Sequence, residues 1–85
     1  MATLTVEVTQ ADIDVGKPEN CRLCPVALAL KRATGMDWWV DTKFFAKQTF
    51  RNDFIKTPTR VAAFIRRFDR THHGKPFHFR LEIHR

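Results

Sequence analysis

The stretch TPTRVAAFIRRFDRTHHGKPFHFRLEIHR, Thr57 to Arg85, changes its hydrophobic period half-way along. In the first half Val61, Phe64, Ile65 and Phe68 recur at i, i+3, i+4 and i+7, the spacing of one buried helix face. Thr57 is placed to cap this helix, and Pro58 to sit at its first position, where a missing N–H costs nothing. HHGKP, His72 to Pro76, ends it. In the second half Phe77, Phe79, Leu81 and Ile83 point one way and His78, Arg80, Glu82 and His84 the other, the period of a strand with one wet face. A helix and a strand with apolar faces to share predict a layered α+β domain.

The upstream sequence repeats this pairing in reverse. TLTVEVT, Thr3 to Thr9, alternates as a strand with Leu4, Val6 and Val8 inward. Thr9 and Asp12 have capping-box spacing and open a short helical turn that closes at Gly16. A longer helix is expected from Cys24-Pro25 to Gly35, with Val26, Ala29, Leu30 and Ala33 as its buried stripe. DWWVDTKFFAKQTFRNDFIKTP, Asp37 to Pro58, is aromatic and β-prone, with turn candidates at Asp41-Thr42 and Arg51-Asn52-Asp53. It holds two or three short strands of open register. The order β-α-β-β-α-β predicts one domain over residues 1–85. The expected form is a two-layer sandwich, ferredoxin-like or a variant, with a mainly antiparallel sheet and two helices on one face.

A chain of 85 residues, 44% hydrophobic and 28% charged, suits one folded domain with a modest core. No apolar run approaches the roughly 20 residues of a membrane span, and MATLTVEVTQ lacks the pattern of a secretory signal. Two cysteines make no disulfide framework, so a cytoplasmic setting is the expectation. The charge is lopsided. Residues 43–85 hold eleven of the fifteen Lys and Arg, all four His, and three of the nine Asp and Glu. Such asymmetry points to an anionic partner, or to one copy's basic half meeting another's acidic half.

CRLCPVALALKRATG, the aromatic segment after it, and TPTRVAAFIRRFDR with its closing PFHFRLEI strand together resemble small uncharacterised proteins of phage and prophage genomes. The likeness lies in a CP-[VI]-ALAL helix, a proline-started FIRRFD helix and a final PF-F-L strand. It implies a phage context and residence in the host cytoplasm. There, small single domains bind a host nucleic acid, a nucleotide signal or a defence complex. It implies no activity.

Cys21 and Cys24 pose a separate question. A thiolate at a helix start is stabilised by unpaired N–H groups, which would make the pair reactive. The spacing also suits half of a zinc site completed by His72, His73, His78 or His84, yet no second ligand pair is spaced to match. The reading adopted is structural, with Cys24 a small residue at the helix start and Cys21 a loop residue. The sequence carries no nucleophile elbow, phosphate loop or zinc-protease signature, so binding rather than catalysis is expected, without cofactor.

The basic half supplies the candidate site. Arg60, Arg66, Arg67 and Arg70 flank the buried stripe of the C-terminal helix, with Arg60 and Arg67 two turns apart on one line and Lys56, His72, His73 and Lys75 nearby. If Trp38, Val40 and Phe44 face the core, then Trp39, Lys43, Phe45, Lys47, His78 and Arg80 share an open sheet face. Cations interleaved with aromatics hold nucleotides by phosphate pairing and base stacking. The alternative is an aromatic patch around Trp39 and Phe45 that docks a host protein or a second copy.

Overall fold

A computed structural model describes residues 2–47 and 54–83. In chain order the elements are β1 (Ala2–Val8), α1 (Gln10–Val15), α2 (Pro25–Thr34), β2 (Trp38–Val40), β3 (Phe44–Lys47), β4 (Phe54–Lys56), α3 (Thr59–Thr71) and β5 (Phe77–Ile83). The chain is α+β with antiparallel pairing throughout. The expected single sheet is replaced, among the described residues, by two. β1 pairs with β5 over its whole length, from Ala2↔Ile83 to Val8↔Phe77, and β2, β3 and β4 form a three-stranded meander. The aromatic segment thus contributes three strands, and α1 adds a helix to the expected two. The Arg51-Asn52-Asp53 turn and His84 lie outside the described residues.

Both sheets and all three helices feed one core. Val6 and Val8 of β1, Phe79 and Leu81 of β5, Trp38 and Val40 of β2 and Phe45 of β3 are buried with Val26, Ala29 and Leu30 of α2. Val61, Ile65 and Phe68 of α3 join them. Phe45 and Phe79 meet with ring centroids 5.8 Å apart, joining side chains of the two sheets. Ala33 departs from the expected stripe and is exposed, while Pro25 and Ala27 are buried at the other end of α2.

Helix ends follow local chemistry. Thr9 and Asp12 form the expected capping box, with Asp12 N donating to Thr9 Oγ1 at 3.2 Å and Thr9 N to Asp12 Oδ2 at 2.9 Å. Cys24 caps α2, Pro25 follows at its first turn, and Gly35 closes it at φ 74, where a Cβ would be strained. The start of α3 differs from the sequence reading. Pro58 is the cap residue, with extended ψ of 147, so the helix begins at Thr59. Thr57 is buried and caps nothing on α3. Its hydroxyl donates to Asp41 O at 2.7 Å and its N–H to Lys43 O at 3.0 Å, tying the β2–β3 turn to the α3 entry.

One carboxylate joins three elements. Asp12 is buried on α1, and Arg32 of α2 donates to it through both Nη atoms, at 2.7 and 2.9 Å. Arg32 Nη2 also donates to Glu7 O of β1 at 2.6 Å. Burial alone would raise the Asp12 pKa. The hydrogen bonds from Arg32 and Thr9 outweigh it and hold the carboxyl below its ordinary value. A depressed folded pKa contributes stability at neutral pH that is lost as pH falls through it. Asp12→Ala is therefore expected to destabilise the chain by about 1–3 kcal/mol at pH 7 in urea titration. The loss should shrink as pH falls below about 4, where the carboxyl of the unfolded chain protonates first, and vanish as pH passes below the lowered folded value.

Candidate functional site

Helix α3 presents two rows of arginine, and the fold treats them differently. Arg60 and Arg67, seven residues apart, lie on the flank of α3 that faces the segment 73–77, whereas Arg66 and Arg70 are exposed away from it. Between helix and segment runs a groove of about 530 Å³. Arg60, Arg67, His73 and Lys75 supply its polar lining, and Ala63, Phe64, Pro76 and Phe77 its apolar surface. Among the described residues that line it there is no carboxylate.

The chain after α3 is shaped to make this groove. His72 takes a left-handed conformation, φ 60, and its N–H donates to Phe68 O at 2.7 Å. Thr71 Oγ1 donates to Arg67 O at 2.8 Å and accepts from His73 N at 3.2 Å, which holds His73 against the last turn of α3. Gly74 then packs against the Cε2 edge of Phe64. A Cβ at position 74 would sit 2.5 Å from Phe64 Cε2, so any side chain there forces the ring aside. Phe64 stacks on Phe68 at 6.0 Å between centroids, nearly parallel at 13°, and tilts against Phe77 at 4.7 Å. The sequence reading put Phe64 in the core. It is half-buried instead, at the seam between core and groove.

The expected open sheet face is not one surface. His78 and Arg80 are exposed on β5, opposite Glu7 and Thr5 of β1, so an acidic residue faces His78 there. Trp39 belongs to the other sheet, where it is 49% exposed and Arg22 lies over its ring at 5.9 Å. The parity of β3 is the reverse of that expected. Phe45 is fully buried opposite Val40, and Phe44 is 50% exposed on the side of the sheet that carries Trp39. Phe45 is therefore a core residue and cannot stack on a ligand. Lys43 is exposed in the β2–β3 turn, and Lys47 pairs through its backbone with Trp38, its side chain lying outside the described residues.

Of the cations expected at the site, the fold brings Arg60 and Arg67 together at the groove and leaves Arg66, Arg70, Lys43 and Arg80 outside it. His73 and Lys75, expected beside these arginines, line the groove with them, and the fold adds Phe64 and Phe77. The legible sign was Phe64 lying between Arg60 and Arg67 on one flank of the helix. The fold-back of HHGKP depends on packing and had no local signature beyond its glycine.

The cysteines occupy unlike settings. Cys24 Sγ accepts from Ala27 N at 3.4 Å as the cap of α2, and Cys21 is exposed in the preceding loop, where its carbonyl accepts from Val40 N at 2.8 Å. Burial pushes the Cys24 thiol up to about 11 despite the backbone N–H groups of Ala27 and Val26, so it is protonated at neutral pH. Among the described residues no three His, Cys, Asp or Glu side chains converge as a metal cage would require. Nor is any helix there long and apolar enough to cross a membrane. Thiol titration with a disulfide reagent at pH 8 is expected to modify Cys21 in the native protein, and Cys24 only on denaturation.

Comparison of the chain with known protein families, curated proteins and solved structures found no match.

Proposed function

We propose that the protein is a non-enzymatic binding module for an anionic ligand, a nucleic acid or a nucleotide, held on the Arg60–Arg67 flank of α3. The observation that carries this reading is the groove itself, where Arg60, Arg67, His73 and Lys75 surround an apolar floor with no carboxylate among its described lining residues. Arginine suits the bidentate grip of phosphate, and lysine adds a point charge. The resemblance to phage and prophage proteins adds that the ligand would be a host nucleic acid, or a host complex that contains one, met in the host cytoplasm. Anisotropy titration of a fluorescein-labelled, mixed-sequence oligonucleotide tests the reading. Affinity is expected to fall roughly 30- to 100-fold between about 50 and about 250 mM salt, as three or four phosphate contacts require. Arg60→Glu with Arg67→Glu should weaken binding about tenfold more than Arg66→Glu with Arg70→Glu. Equal effects of the two pairs would remove the groove from the reading.

A second reading rests on Trp39 and Phe44, each about half exposed on the meander, with Arg22 over the Trp39 ring. Exposed Trp with Arg is the composition of protein–protein hot spots, so this patch is the surface for a host protein or for self-association. Sedimentation velocity checks the self-association arm. A concentration-dependent dimer that Trp39→Ala returns to monomer is the expected result, and a monomer at every concentration leaves the patch to a different protein.

A further inference from the structure

We infer that the groove beside α3 takes an unpaired nucleotide of a single strand, with its base on the Phe64–Phe77 floor and the adjoining phosphates on Arg60 and Arg67. This inference rests on the anionic-ligand reading and narrows it. Arg60 and Arg67 are two helical turns apart, about 10 Å along the axis, and Phe64 lies between them in sequence on the same flank. A base seated on Phe64 therefore has a cation on either side of it along the helix. The platform is fixed before any ligand arrives, with Phe68 stacked behind the ring, Phe77 tilted against it and Gly74 closing on its Cε2 edge. A preset ring loses little freedom on binding.

A duplex cannot use such a floor. Its base faces are stacked inside, and it offers a surface only its phosphates and groove edges. Exposed arginines outside the groove, such as Arg66 and Arg70, would suit it, but an aromatic floor recessed between cations would go unused. Unpaired bases present open π-faces that stack on aromatic side chains whatever their sequence. The groove volume of about 530 Å³ lies in the range of small-molecule sites, enough for about one nucleotide rather than a helix.

Competition anisotropy on the full chain tests this with four unlabelled probes of matched phosphate number: single-stranded DNA, single-stranded RNA, a blunt DNA duplex and inorganic polyphosphate. The single strands are expected to bind about tenfold tighter than duplex or polyphosphate. Phe64→Leu, which keeps apolar bulk but removes the ring, should bring the single strands down to the duplex level and leave duplex binding unchanged. Should that variant fail to fold, Ala63→Leu on the exposed groove wall blocks the same floor without touching the core, and the same loss is expected. A difference between the DNA and RNA strands supports the inference equally and identifies the preferred sugar. Equal, salt-sensitive binding of all four probes, unmoved by either variant, overturns the single-strand inference and leaves the anionic-ligand reading standing. No binding to any of the four overturns both.

Discussion

The Asp12 carboxylate is the constraint on which the N-terminal half is built. It accepts the Thr9 N–H that completes the α1 cap, and it accepts both arms of the Arg32 guanidinium. Through that guanidinium it also reaches the Glu7 carbonyl at the end of β1. Strand, short helix and long helix are thereby locked at one point before their apolar faces are counted. A six-residue helix such as α1 has too few turns to hold itself in water, and this fork explains its persistence. With α1 and α2 fixed over β1, the pairing of β1 with β5 determines where α3 and the segment after it lie.

The C-terminal half is organised around a ring rather than a charge. Phe64 belongs to two environments, stacked on Phe68 at the core and lining a basic groove on its other side. That double membership is made possible by the missing side chain of Gly74. Core packing and ligand contact are thus coupled in one residue, and the rigidity of the candidate floor derives from the stability of the fold.

How far the sequence could be read follows from how local each feature is. The alternations of β1 and, as far as Leu81, of β5, the Thr9–Asp12 box, the Cys24-Pro25 start and the Gly35 stop of α2 depend on neighbours within four residues, and all are found. Trp38 and Val40 face inward and Trp39 outward, a phase that the sequence left open between the two tryptophans. The parity of β3 was undecidable locally, because Phe44 and Phe45 are the same residue side by side and only pairing with Val40 selects which one is buried. Thr57 misled for a similar reason. Its hydroxyl has a cap-like position in sequence, but the Asp41 carbonyl sixteen residues upstream claims it. The division into two sheets and the fold-back over Phe64 are tertiary outcomes, and half of the candidate site came with them.

The pairing of β1 with β5 also has a kinetic meaning. Ala2 meets Ile83, so the ribbon closes a loop that spans almost the whole described chain. The entropy of such closure grows only as the logarithm of loop length, but it must be met before the contacts it permits can form. Helices and the meander, made from near neighbours, can assemble first, and the ribbon then completes the fold. Phe77, which forms part of the groove floor, is the first residue of β5. The groove floor is therefore complete only once this long-range pairing has formed.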